Sequence, residues 1–221
     1  SIRYWMRSFG LSKNDELTPI AKYLLDTDEG KDPYIEDLGT LWILHFLLVS
    51  QCEATLYYLL FTQLQRERKT FDRQQVVNFV KRVMAEDGKL TQFNENTIKK
   101  DVGTLLLNYV LPHRAKALDD YSSLLIDLDI IRVESDGKNY IFNIEGKREV
   151  PWQVFLFAIL VLKEKDNSVG YDLLQDIGLM FCMNDMEVIV DFRHTSKKTQ
   201  LSLNSISSKY TNGLSVTKLI K

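Results

Sequence analysis

Between Phe93 and Ile144 the chain reads as an amphipathic helix, a short apolar helix and a β-hairpin, and few folds accept that succession. The segment FNENTIKKDVGTLLLNYV opens on Asn94, a good helix cap, with Phe93 placed before it to staple onto Ile98. Ile98, Val102, Leu105 and Tyr109 then recur at helical spacing and predict one buried stripe. Asn96, Lys99, Lys100 and Gly103 fall off that stripe and are left for solvent or a ligand. After DDYSSLLIDLD, the run IIRVESDGKNYIFNI sets Asp136-Gly137 between Ile131/Val133 and Tyr140/Phe142/Ile144 at period two. Asp-Gly favours a two-residue type I′ turn, so a hairpin is predicted here.

The stretch before it repeats the same opening. Asp72 caps a helix with Gln75 in the capping-box position, Phe71 is placed to staple onto Val76, and Gly88 closes it. Val76, Val77, Phe79, Val80 and Val83 mark its buried face. Two helices begun alike and followed by a hairpin predict a winged helix-turn-helix over about 71–145. The N-terminal end of its second helix would then meet bases and phosphates.

Elsewhere the chain reads as mainly α with small β-hairpins. Thr18-Pro19 starts one helix, and residues 26–39 form an acidic loop with a glycine and a proline. Leu41 to Phe61 is apolar and, at 21 residues, long enough to span a bilayer. His45, Ser50, Gln51 and Glu53 near its centre predict two core helices instead, with no membrane. Pro151-Trp152 leads into VFLFAILVL, then YDLLQDIGLMF, then a helix boxed by Asn184 and Glu187, and the tail reads as a hairpin around Asn212-Gly213. The expected organisation is 1–149, a helical N-terminal region plus the winged unit, and 150–221, a smaller helical unit ending in a hairpin. That smaller unit could be a second winged helix. The start SIRYWMRSFG, without Met, reads as a helix cut into, so a fragment of a longer protein is expected.

Net charge is −2, which denies the chain a uniformly basic surface, but its distribution is uneven. Residues 1–60 hold 5 basic and 9 acidic side chains, 61–118 hold 11 and 6, 119–190 hold 6 and 14, and 191–221 hold 6 and 1. The first basic block supplies the candidate DNA-binding residues Arg66, Arg68, Lys69, Arg73, Lys81, Arg82 and Lys89, which join Asn96, Lys99 and Lys100. Arg193, His194, Lys197 and Lys198 form a second, weaker patch. The hairpin tip, with Asp136 and Lys138, is nearly neutral.

No GxxxxGK[ST], GxGxxG, GxSxG, HExxH or CxxC occurs, so no catalytic residue, metal ligand or cofactor is expected. Glu145-Gly146-Lys147 with Asp129 or Asp136 upstream resembles a magnesium-dependent nuclease pattern, but such triplets are common in charged chains. His45 reads as a core histidine, Cys52 and Cys182 as buried free thiols, and Trp42, Tyr57 and Tyr58 as core aromatics rather than base-stacking platforms. Two distant free cysteines fit a reducing cytoplasm.

The motifs Arg3-Tyr4-Trp5, Phe9-Gly10-Leu11, Leu17-Thr18-Pro19 and above all Asp32 through His45, with Ala54-Thr55, Tyr57-Tyr58 to Phe61, Lys99 to Val102 and Asn108-Tyr109-Val110, resemble a bacterial family of uncharacterised proteins. The resemblance covers most of residues 1–145. It implies a genomic neighbourhood of phosphoadenosine-phosphosulfate-reductase-like genes, in islands for DNA sulfur modification and phage defence, and no catalytic residue. Two functions remain open. One is a non-enzymatic accessory protein that binds double-stranded DNA. The other is an adaptor for neighbouring-gene proteins of the same complex, docking through the acidic 119–190 block or the 26–37 loop.

Overall fold

The computed structural model describes residues 2–111, 124–145, 149–163 and 169–199. The chain separates into two compact units, one formed by Ser1–Glu53 with Glu149–Lys221 and the other by Ala54–Arg148. The boundary expected near 150 is thus one of two crossings. The N-terminal helices pack with the C-terminal ones because their apolar faces complete a common core.

In the first unit, helices α1 (Ile2–Ser8) and α2 (Pro19–Leu25) flank a short antiparallel pair, β1 (Ser12–Lys13) with β2 (Glu16–Leu17). Thr18 caps α2 as its sequence implies, accepting from the Ala21 N–H at 3.3 Å. The core is built by α3 (Leu38–Ser50), which is buried along its whole length from Thr40 to Val49, and by α8 (Trp152–Leu162), α9 (Tyr171–Met180) and α10 (Asp185–Thr199). Trp42 meets Phe181 edge to face at 5.6 Å, and Phe46 meets Phe157 at 5.7 Å. Gly178 lets α9 touch α10, since a Cβ there would sit 2.5 Å from Val188 Cγ2. Asn184 and Glu187 form the expected reciprocal cap of α10, at 2.9 and 3.0 Å. The tail hairpin around Asn212-Gly213 lies outside the described residues, and with it the hairpin of the expected second winged unit.

In the second unit, α4 (Thr55–Tyr58) runs through a π-helical stretch, Leu59–Leu64, into α5 (Gln65–Glu67). Then come β3 (Thr70–Phe71), α6 (Arg73–Glu86), α7 (Glu95–Tyr109), β4 (Ile131–Val133) and β5 (Tyr140–Phe142). The strands form an antiparallel sheet in the order β3-β5-β4, so the strand preceding α6 lies against the far arm of the hairpin. Phe61, Phe71, Tyr109 and Phe142 fill the space between sheet and helices, with Phe71–Phe142 at 4.9 Å and Phe61–Tyr109 at 5.2 Å. The four rings form a chain of contacts, Tyr109 to Phe61 to Phe142 to Phe71, within a core that also buries Val76, Val80, Val102, Leu105 and Ile131.

The local signals here translate closely. Asp72 and Gln75 form the full capping box of α6. Gly88 at φ 70 ends it, with the Lys89 N–H reaching back to Met84 O at 2.7 Å. The hairpin forms, but its turn differs from the expected two-residue one. Gly137 alone takes positive φ there, and its N–H closes on Glu134 O at 2.9 Å, while the Asp136 carboxylate accepts from the Lys138 and Asn139 N–H groups. The aspartate's own side chain satisfies the loop backbone, so a wider turn is stable.

Leu41 to Phe61 is not one helix, since α3 ends at Ser50 and α4 begins at Thr55. Among the described residues no single helix is long and apolar enough to cross a membrane. Cys52, expected to be buried, is exposed at φ 60 in the break, where its neighbours Gln51 and Glu53 face solvent as well.

Candidate nucleic-acid interface

Helix α7 presents the face its periodicity implies. Val102, Leu105, Leu106 and Tyr109 are buried and Ile98 is half-buried, leaving Asn96, Lys99, Lys100 and Thr104 outside. Asn94 caps the helix by accepting from the Thr97 N–H at 3.0 Å. A side chain added at Gly103 would meet nothing within 4 Å, so the outer face is open at its middle. The Lys99 ammonium lies 2.6 Å from Glu95, one turn back, and this pairing holds the Glu95 carboxyl below its ordinary pKa. Lys100 lies outside that pair and makes no ion pair among the described residues.

The basic residues before α7 do not form one surface. Lys81 turns toward α7, its ammonium 5.8 Å from the Phe93 ring and near enough to Glu95 to lower that carboxyl further. Arg82, one residue on and so roughly 100° around the helix, faces the other way. It pairs with Glu67 and stacks 5.3 Å over Phe79. With Arg68, Gln75 and Asn78 these residues line a groove of about 320 Å³ between α5 and α6. Nine of the ten predicted residues, all but Lys89, therefore separate into a cluster at the start of α7, with Asn96, Lys99, Lys100 and Lys81, and a corner around α5, β3 and α6. Arg66, Arg68, Lys69, Arg73 and Arg82 belong to the corner.

Within the corner, Arg66 Nε donates to Thr62 O at 2.9 Å and Arg73 Nε to the Tyr140 hydroxyl at 3.2 Å, so both guanidinium groups are oriented from inside the unit. Arg68 and Lys69 are exposed and make no ion pair among the described residues. Lys89, in the connection between α6 and α7, lies 3.6 Å from Asp87. Interleaved acids thus blunt Arg82, Lys89 and Lys99, and leave Arg68, Lys69, Lys81 and Lys100 as the cations with most of their field intact.

On the hairpin, Arg132 is paired with Asp129, which also receives the Asn143 amide. The pair raises the guanidinium's pKa, and with the turn carboxylate of Asp136 nearby the hairpin adds little positive charge. Asp129 is therefore engaged in structure, and Gly146 and Lys147 of the nuclease-like triplet lie outside the described residues. Among the described residues no three His, Cys, Asp or Glu side chains gather as a metal would require.

The family model described as "Protein of unknown function (DUF4007)" matches residues 1–220. The chain belongs to the DUF4007 family. Two solved structures share the fold, "SspB crystal structure" at a TM-score of 0.76 and "Magnesium ion-bound SspB crystal structure" at 0.77, each with 23% sequence identity. Each alignment covers 90% of this chain and 65% of the other, so this DUF4007 chain spans about two-thirds the length of the structures it matches. No curated protein matches the sequence.

The remaining candidates of the DUF4007 chain lie in its first unit. Arg193, His194, Lys197 and Lys198 lie on α10, whose buried residues are Val188, Phe192 and Thr195. Trp42 is fully buried and Tyr57 nearly so, which removes them as stacking platforms. His45 is fully buried, and its Nε2 lies 2.6 Å from Met180 O, an arrangement that places the ring proton on Nε2. Burial pushes its pKa down to about 4 against the smaller opposing pull of that carbonyl, so the ring is neutral at pH 7. Sequence reasoning missed the groove between α5 and α6, because the π-helical stretch that aims Glu67 and Arg68 has no signature in residue type.

Proposed function

We propose that this chain is a DNA-binding accessory component of a bacterial DNA sulfur-modification and phage-defence system, and that residues 54–148 act as a winged helix-turn-helix. One observation carries the reading. A strand, two helices and a hairpin in the sheet order β3-β5-β4 leave α7 with a cored inner face and an open outer one, the disposition of a helix that enters a groove. Asn96, Lys99 and Lys100 would approach base edges, while Arg68, Lys69 and Arg73 would meet phosphates. The nearly neutral hairpin gives the wing a positioning part only. The defence context is part of the proposal and rests on the family resemblance.

The pairing of Lys99, Lys89 and Arg82 with acids favours a second reading, an adaptor that docks on protein and leaves DNA alone. Fluorescence anisotropy with plain and phosphorothioate-modified duplexes separates the two. Because one structure of the same fold is described as magnesium-bound, the titration is run with and without magnesium. Retention of duplex at low salt supports the DNA reading, and tighter binding of the modified duplex supports the sulfur context. An absence of binding at low salt in both conditions leaves the adaptor.

A further inference from the structure

The first unit carries a surface of opposite character. Residues 26–37 include six carboxylates, Asp26, Asp28, Glu29, Asp32, Glu36 and Asp37, and one cation, Lys31. Three of the carboxylates hold the loop together. Asp26 accepts from the Asp28 and Glu29 N–H groups, Asp32 from those of Glu36 and Asp37, and Asp37 from that of Gly39. The other three, Asp28, Glu29 and Glu36, are exposed and make no ion pair among the described residues. Bracing by Asp32 also holds Ile35 at φ 57, a conformation a β-branched residue seldom adopts, and the neighbouring Tyr34 stands 84% exposed.

Beside this loop lies a cleft of about 360 Å³, within the size range of ligand pockets. Ile43, Val154 and Pro151 give it apolar walls, and Tyr23, the two carboxylates of Asp32 and Asp37 and one cation, Lys31, line it as well. An apolar concavity with carboxylates along it and an exposed aromatic ring nearby matches the side chain of arginine or lysine. Such a side chain has an aliphatic stem to bury and a cationic head for carboxylates and aromatic faces. A small anion would be repelled by the loop's charge. We propose that the cleft and the 26–37 loop are a docking surface for an arginine- or lysine-rich peptide segment of a partner protein. One cation of the segment enters the cleft along Ile43 and Val154, a second stacks on Tyr34, and Asp28, Glu29 and Glu36 supply the surrounding field.

The full chain is titrated against a fluorescein-labelled twelve-residue peptide carrying four arginines spaced by alanine and serine, with glutamine replacing arginine in the control. The arginine peptide binds and the control does not. Tyr34→Ala weakens binding roughly five- to tenfold, the size of one partly desolvated cation–π contact, and Tyr34→Phe retains it. Asp28→Asn with Glu29→Gln weakens it further, whereas Asp172→Asn with Asp185→Asn on α9 and α10 leaves it unchanged. Equal binding by Tyr34→Ala and wild type overturns the proposal, as does equal weakening by the α9 and α10 pair, which would reduce the effect to overall charge. Competition by magnesium beyond that of sodium chloride at matched ionic strength would make the loop a cation site and overturn it too. Exposure of Tyr34, Asp28 and Glu29 keeps these variants folded, and circular dichroism verifies that.

Discussion

The corner of the second unit and the 26–37 loop of the first both concentrate charge, and they handle it in opposite ways. Around α5, β3 and α6 the guanidinium groups of Arg66, Arg73 and Arg82 are oriented by Thr62, Tyr140 and Glu67, leaving Arg68 and Lys69 uncompensated. In the loop, half of the carboxylates are consumed by backbone N–H groups and the rest face solvent without an ion pair among the described residues. Charge that is oriented by neighbours is already positioned for a ligand, whereas a count of charges in the sequence cannot distinguish the oriented from the neutralised. The two units also differ in balance, since residues 54–148 hold 15 basic and 13 acidic side chains and the rest of the chain holds 13 and 17.

The largest effect comes from breaking the scaffold that aims the basic surface. Phe142→Ala removes the ring that joins Phe61 to Phe71, and it is expected to lower stability by about 3–5 kcal/mol in urea denaturation. A decrease below about 1 kcal/mol would mean that the aromatic cluster does not support the sheet.

Next is a pH effect confined to the first unit. His45 has a pKa near 6.5 when unfolded and about 4 when folded, so between those values the unfolded chain binds the extra proton. Stability therefore falls as pH drops from 6.5 to 4, by at most about 3 kcal/mol at 1.36 kcal/mol per unit. Replacement by an uncharged residue, His45→Gln, lowers stability at pH 7 but removes this slope. Denaturant midpoints measured across pH 4–7 show whether it does.

A smaller and more selective effect sharpens the contrast between corner and loop. Arg68→Ala with Lys69→Ala is expected to reduce the slope of log K against log salt by roughly 0.9 for each phosphate left without its cation, with little change in sequence preference. The change Lys138→Glu at the hairpin tip should leave the slope within about 0.5 of wild type, because the wing contributes little field. The smallest effect is on the cap. Asn94→Ala is expected to cost about 1 kcal/mol in thermal denaturation and to fray the turn that carries Asn96.

Much of the second unit is legible in the sequence because its signals are local. A capping box, a glycine after the helix and an alternating pair of strands each depend on residues within one or two turns, and Asp72, Gly88 and Tyr140/Phe142 behave accordingly. The domain boundary is not legible, because α3 and α8 are more than a hundred residues apart and both apolar, and nothing in either sequence specifies its partner. The turn at Asp136 departs from the expected type for a related reason, since a side chain's bonds to its own loop compete with the dipeptide's intrinsic preference. Charge alone singles out the candidate residues. Their separation into two groups follows from Lys81 and Arg82 lying on different sides of α6, which is helix geometry applied to neighbours the sequence does not reveal.

The central claim is that the start of α7 contacts duplex DNA. The most direct test is a fluorescence-anisotropy titration of one duplex at about 50 and about 200 mM sodium chloride, comparing wild type with the double variant Lys99→Glu/Lys100→Glu. If Arg68, Lys69 and Arg73 each meet a phosphate and Lys81 meets a fourth, wild-type affinity should fall with a log–log slope of roughly −3 to −4, and the double variant should show no binding at either salt. Wild-type affinity independent of salt, or unchanged affinity in the double variant, would contradict it.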